Sequence, residues 1–154
     1  MMNQGGGSQQ ELQQLSQQIQ ELDQQIEALN NEIESLRDDQ SEIDEAISAI
    51  NAIDDGAVVQ VPLGGGAKVR AEILDAEEII VDLGGGYAAE RNSEGAVETL
   101  ENKKDHLDER IEEINDEIAE LEEESDRLEQ QAQQLQQQQL QQQMQQMQGE
   151  SEEE

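Results

Sequence analysis

This chain has no cysteine, no phenylalanine and no tryptophan, and only one tyrosine and one proline among 154 residues. Without cysteine there is neither a disulfide framework nor a thiol nucleophile, and that usage fits a reducing cytoplasm. The near-absence of aromatic rings removes the side chains on which a compact core normally leans, so the shape should be elongated. Cations are scarce as well: eight Lys and Arg oppose 39 Asp and Glu, for a net charge of -31. Such an excess of carboxylates repels nucleic-acid phosphates and anionic membrane surfaces. No apolar run approaches the ~18 residues of a membrane span, and nothing at the start reads as a signal segment. Nucleic acid and membranes are therefore not expected partners.

Catalytic chemistry has little to stand on. His106 is the only histidine, flanked by Asp105 and Leu107 on the solvent side of a helix. It reads as a solvated residue, although Glu109 or Glu113 is within helical reach for a metal. No Ser has a His and Asp constellation near it in sequence. Gly64-Gly65-Gly66 is followed by Ala67-Lys68-Val69 and not by the Gly-Lys-Ser/Thr and helix of a phosphate-binding loop. No acidic spacing resembles a calcium loop. The chain is not expected to be an enzyme, and no cofactor or metal is expected.

What the chain does contain is two apolar heptad tracts. Leu12, Ile19, Ile26, Ile33 and Ile47 recur every seven residues, with Gln40 as the polar member. Leu15, Leu22, Leu29, Leu36, Ile43 and Ile50 fill the second position. The later tract runs through Val97, Leu100, Leu107, Ile111, Ile114, Ile118, Leu121, Leu128, Ala132 and Leu135, with Lys104 and Ser125 as polar members. A strict seven-residue repeat keeps one seam on one side of a helix, and the seam must bury itself against another helix. Folding back places Ile50 opposite Val97, Ile33 opposite Ile114 and Leu12 opposite Leu135. This is the pattern of a long antiparallel coiled-coil hairpin, each arm about 58 Å at ~1.5 Å per residue. Flanking charges pair Arg37 with Asp108 and Asp39 with Arg110. Other facing pairs, Asp23 with Glu122 and Glu32 with Glu117, are like-charged.

Between the tracts the pattern changes from helical to alternating. Val58 to Leu63 and Ala67 to Ile73 flank one triple glycine; Glu78 to Leu83 and Tyr87 to Arg91 flank the other. β-Branched runs on either side of a short Gly loop signal hairpins. The two units repeat twenty residues apart, Val61-x-Leu63-Gly-Gly-Gly against Val81-x-Leu83-Gly-Gly-Gly. Isolated hairpins are marginal in water, and their unpaired edges recruit partners. An apolar face formed by Val59, Val61, Leu63, Val69 and Ile73, with Ile79, Val81 and Leu83 on the second hairpin, is the expected oligomer interface. Ala71 shares the first of these faces.

The organisation is thus a flexible leader at 1–9, a coiled-coil helix at 10–53, two hairpins at 57–92, a second helix at 93–148 with a Gln-rich end, and an acidic tail at 149–154. The fold class is α+β and mostly α, with the hairpins forming an oligomeric β-barrel hub. The acids are scattered along both helices and only three Lys are present. This favours adaptation to a salt-rich cytoplasm over an acidic decoy for basic partners, because ~1 M salt shortens the Debye length to ~3 Å.

The run Ala57-Val58-Val59-Gln60-Val61-Pro62-Leu63-Gly64-Gly65-Gly66, then Ile79-Ile80-Val81-Asp82-Leu83-Gly84-Gly85-Gly86, both set between matched helices, resembles the alpha class of archaeal prefoldin subunits. Two hairpins match the alpha class; the family's beta class carries one. The resemblance implies a hexamer of two alpha and four beta subunits whose hairpins form β-barrels and whose coiled coils hang as tentacles. It further implies an ATP-independent chaperone, cytoplasmic, which holds non-native polypeptides and passes them to a group II chaperonin.

The residues themselves suggest where clients would bind. Past Leu135, the second helix continues to Leu140, Met144 and Met147, whose antiparallel counterparts fall in the glycine leader. Heptad continuation calls for apolar residues at 139 and 142, where Gln139 and Gln142 stand, so these side chains should remain exposed. Leu12, Leu15, Leu135, Leu140, Met144 and Met147 form the candidate client site, with Met1 and Met2 as additions. Methionine is flexible and polarizable and suits varied apolar contacts. The competing reading is a non-catalytic coiled-coil scaffold or adaptor, for which the Gln-rich end is a solvated tail.

Overall fold

The computed structural model describes the backbone of residues 2–152 and the side chains of residues 9–149. In chain order the elements are α1 (Met2–Ala52), β1 (Val58–Gly64), β2 (Ala67–Glu72), β3 (Ile79–Gly84), β4 (Tyr87–Arg91) and α2 (Ser93–Glu152). Two long helices with two small antiparallel hairpins between them make up the chain, which is mostly helical. It divides into two compact units: one runs from Glu34 to Glu112, and the other combines the chain up to Ile33 with the chain from Glu113 onward.

Helix α1 has 51 residues and α2 has 60. Both continue further than the sequence pattern suggests. Helix α1 includes Gly5-Gly6-Gly7, which composition assigns to a flexible leader, and α2 continues past Gln148 into the acidic stretch. Each glycine costs about 1 kcal/mol relative to alanine in a helix. Propagation from an already formed helix offsets part of that cost, since each added residue gains a hydrogen bond without a new nucleus.

In the unit built from the chain up to Ile33 and from Glu113, the protected positions are the heptad seams. Ile33 on α1 and Ile114 on α2, the pair that fold-back symmetry places opposite each other, are both buried, Ile114 completely. Ile118 and Ser125 are buried on the same seam of α2. One groove brings together Leu15 and Leu135; a second brings together Leu29 and Leu121. Fourteen residues up α1 (15 to 29) correspond to fourteen down α2 (135 to 121). The helices therefore run antiparallel in this unit and hold one heptad register.

In the unit from Glu34 to Glu112, α1 ends at Ala52, and Gly56, with φ of 81°, turns the chain toward β1. Hairpin one pairs Val59 with Ala71 and Val61 with Val69; hairpin two pairs Ile79 with Arg91 and Val81 with Ala89. Each is a separate two-stranded sheet. The ladders close through Gly64↔Ala67 and Gly84↔Tyr87, leaving two-residue loops, Gly65-Gly66 and Gly85-Gly86. Every one of these four loop glycines has positive φ, between 60° and 84°. Two successive positive φ values make a turn whose twist matches that of the strands, and a side chain there would be strained. The first glycine of each triplet, Gly64 or Gly84, has a different task. The register slips between Pro62 and Gly64, and again between Asp82 and Gly84. Leu63 and Leu83 are thereby left as extra residues in β-bulges.

Polar side chains fasten the loops of this unit. The Asp55 carboxylate accepts from the Ala76 N–H at 2.7 Å. Glu77 accepts from both the N–H (3.1 Å) and the hydroxyl (2.9 Å) of Ser93 at the start of α2. Asn92 caps that helix by accepting from the Gly95 N–H at 2.8 Å, which satisfies one of the donors a helix start leaves free.

Candidate functional site

Three sets of side chains stand out, and each is built from a different feature of the sequence. The first is polar and lies within the unit from Glu34 to Glu112. Gln40 and Lys104, the polar members of the two seams, meet there. The Gln40 carboxamide donates to the Lys104 carbonyl at 3.2 Å and to Asp108 Oδ1 at 2.6 Å. The Lys104 ammonium in turn donates to both Asp44 oxygens, at 2.8 and 3.1 Å. Its hydrogen bond to Asp44 holds the ammonium above its ordinary pKa; desolvation opposes, and the charges of Asp44, Asp108 and Asp105 reinforce the rise. Asp108 thus takes Gln40 as its partner, and not Arg37 as flanking-charge pairing suggests. A seam residue reaches across the interface along a shorter path than a flanking one, and a carboxamide fixed by two acceptors needs little further ordering. A polar residue at a single seam position sets register in coiled coils at some cost in stability.

The second set is the hairpins' apolar side chains. Within this unit Val59, Ile73 and Ile79 are half-buried, and Val81 is 5% exposed. Val81 is therefore already covered within the single chain. The outward members of the expected interface are Val61, Leu63, Val69 and Leu83, all exposed. Alternation reasoning missed four others: Val58, Leu74, Ile80 and Tyr87 are exposed as well, Leu74 at 89%. The signal was present in the sequence. Val58-Val59 and Ile79-Ile80 are consecutive apolar pairs, and in a strand consecutive residues face opposite sides. Both faces of each hairpin thus carry apolar residues. Both strands of a two-stranded sheet are also edges, with ladder groups free to pair elsewhere.

The third set lies in the other unit. Leu12, Leu15 and Leu135 are half-buried in the seam, and Leu15 and Leu135 line one groove. Leu140, Met144 and Met147 are exposed at 59%, 67% and 74%. Gln139 is half-buried while the next residue, Leu140, is exposed. The heptad thus continues through Gln139, and it is the apolar residue that turns to solvent. Met1 and Met2, named above as additions to this patch, fall outside the described side chains.

The remaining candidate is weak in geometry. His106 is 79% exposed, and its Nδ1 lies 3.7 Å from Glu109 Oε2. Among the described residues no group of three or more His, Cys, Asp or Glu could hold a metal ion. Among them, too, no helix is long and apolar enough to cross a membrane.

Known proteins bear on this arrangement. Residues 22–138 match the family model for a prefoldin subunit. A prefoldin subunit alpha of Halorubrum lacusprofundi is 65% identical over 102 residues, covering 66% of this chain and 67% of that one. That of Halobacterium salinarum is 66% identical over 103 residues, 67% of each chain. Another, from Haloquadratum walsbyi, is 67% identical over 103 residues, again 67% of each. In three dimensions the chain is similar to one in a cryo-electron microscopy structure of filamentous prefoldin from Methanocaldococcus jannaschii. That match has a TM-score of 0.52 and 24% identity, and covers 77% of this chain and 95% of the other. It supports the fold alone. Matched along most of its length, with alpha-type relatives in halophilic archaea, this chain belongs to the prefoldin subunit family of chaperones.

Proposed function

We propose that this chain is an alpha-type subunit of an ATP-independent holdase. It keeps non-native polypeptides on exposed apolar side chains and passes them to a group II chaperonin in the cytoplasm. The observation that carries the reading is the exposure of Leu140, Met144 and Met147 on a helix whose seam elsewhere is protected. Apolar side chains left in water at regular helical spacing are costly unless a partner uses them, and clients that share only apolar surface need flexible ones. Leu12, Leu15 and Leu135 supply the adjoining seam.

Assembly follows from the hairpins. Val61, Leu63, Val69 and Leu83 face outward beside free strand edges, and Val59, Ile73, Ile79 and Val81 form the inner part of the same faces. Pairing of these edges with beta-type subunits would close β-barrels and give a hexamer of two alpha and four beta subunits. The triple-glycine loops are hairpin turns and not phosphate-binding loops, and in this reading client release rests on weak multivalent contacts and competition by the receiving chaperonin. Removing residues 136–154 tests the assignment. The trimmed chain should assemble with its partner as before by native mass spectrometry, yet lose capture of an unfolded client. Full capture by the trimmed complex would place the client site elsewhere.

A further inference from the structure

Charge is unevenly spread along this chain. Residues 21–129 hold 34 of the 39 acidic residues and all eight Lys and Arg. Residues 130–149 hold no charge at all, residues 1–20 hold only Glu11, and the other four acids follow Gly149. Glutamine fills the gap, at 14 of the 20 positions from 130 to 149. Acids stud the rest of the chain, so one long stretch without them calls for a reason.

The structure gathers part of that stretch into an open groove of about 410 Å³. Gln14 and Gln18 of α1 face Gln131, Gln134 and Gln138 of α2 across a floor of Leu15 and Leu135, with Glu11 at the rim. All five glutamines are exposed. Each carboxamide offers two N–H donors and a carbonyl acceptor, the same groups as a peptide bond. Residues four apart on a helix stand about 5–6 Å from each other, and two residues of extended chain rise about 6.6 Å. The pairs Gln14/Gln18 and Gln134/Gln138 are therefore spaced to meet alternate peptide groups of an extended backbone. Backbone groups are common to all sequences, so this recognition ignores side-chain identity.

Charge then selects the occupant. A basic polypeptide is attracted all along residues 21–129, and a neutral one is indifferent. A carboxylate-rich polypeptide is repelled along the acidic length and least where charge is sparsest. We propose that the glutamine-lined groove, in which Glu11 is the single charged lining residue, binds the extended backbone of carboxylate-rich non-native polypeptides, and that its low charge is what admits them. This rests on the holdase reading and specifies the client class.

The test uses the full-length chain in its assembled complex and two labelled, unstructured peptides. One is rich in Glu, Leu and Gly; the other has every Glu replaced by Ser. Anisotropy titrations run at about 0.1 M and ~2 M KCl. Wild type should bind both peptides. The set Gln14→Glu, Gln18→Glu, Gln134→Glu and Gln138→Glu should lose the acidic peptide roughly tenfold at low salt and recover it at high salt, with much less effect on the neutral one. The same four positions changed to Ala should weaken both peptides equally at either salt, with helicity by circular dichroism retained.

Unchanged binding of the acidic peptide by the Glu set at low salt would overturn the inference. So would unchanged binding by the Ala set, or concentration-dependent self-association through the groove in place of peptide binding. If wild type binds only the neutral peptide, the holdase reading stands and this inference fails. If it binds neither, both fail.

Discussion

Gln40 and Asp108, 68 residues apart in sequence, share a 2.6 Å hydrogen bond, and the same carboxamide nitrogen reaches the Lys104 carbonyl one helical turn away. A single side chain thereby spans two successive rungs of the facing helix. Leucine at Gln40 and Lys104 together would complete the apolar seam but leave nothing to define its alignment. We expect the double variant Gln40→Leu/Lys104→Leu to melt at a higher temperature while its helices sample more than one alignment. Because the chain has no cysteine, spin labels can be placed at introduced cysteines alone, at Asp38 and Glu109. The distance distribution should be single and narrow in wild type and broad in the variant. An unchanged width would remove the register role.

The same layer has a direction in pH. Lys104 is held above its ordinary value of 10.5, chiefly by its hydrogen bond to Asp44. A cation whose folded pKa is raised contributes stability that is fully present below its unfolded pKa and is lost as pH climbs through the folded one. Thermal stability should therefore show no loss from this group across neutral pH and a decline in the alkaline range above 10.5. The Lys104→Met variant should lack that alkaline decline in a melting series followed by circular dichroism.

Burial predicts where substitutions matter. Ile114 is completely buried, whereas Met147 is 74% exposed. Ile114→Ala should cost about 2–5 kcal/mol through lost contacts and a residual cavity. Met147→Ala should change stability by no more than about 0.5 kcal/mol. Capture of an unfolded client should show the opposite order, falling with Met147→Ala and surviving in folded Ile114→Ala at low temperature.

How much of this was legible in the sequence follows from period and chemistry. Ile33 and Ile114 could be placed opposite each other because a seven-residue repeat has only one face to bury. The two hairpins followed from β-branched runs around triple glycines. The repeat did not reveal the bulges at Leu63 and Leu83, because three glycines are compatible with a three-residue loop as well as with a bulge and a two-residue turn. Strict alternation hid Val58 and Ile80 on the second faces. The partner of Asp108 was misassigned to Arg37 because charge pairing was weighed along flanking positions, while Gln40 competes from within the seam. The exposure of Leu140 was legible from the break in register alone. The groove among the glutamines was not, since a low-complexity run gives no sign of which members face a neighbouring helix.

Like charges make salt a variable of the fold. Glu117 and Glu120 share a groove with Glu32 over Leu29 and Leu121, in a chain of net charge -31. Glu117→Gln should raise the melting temperature at about 0.1 M KCl and have almost no effect at ~2 M, where the Debye length falls below ~3 Å. Wild-type helicity should rise over the same interval. An identical melting temperature for wild type at both salts would remove the screening argument.

The most direct test of the central claim is light scattering from a denatured client diluted into molar potassium chloride without nucleotide, in the presence of this chain assembled with the beta-type partner proposed for it. Suppression of aggregation at near-stoichiometric amounts is the predicted result. Unsuppressed aggregation in the presence of an intact complex would contradict the holdase account and leave the coiled coil as a scaffold.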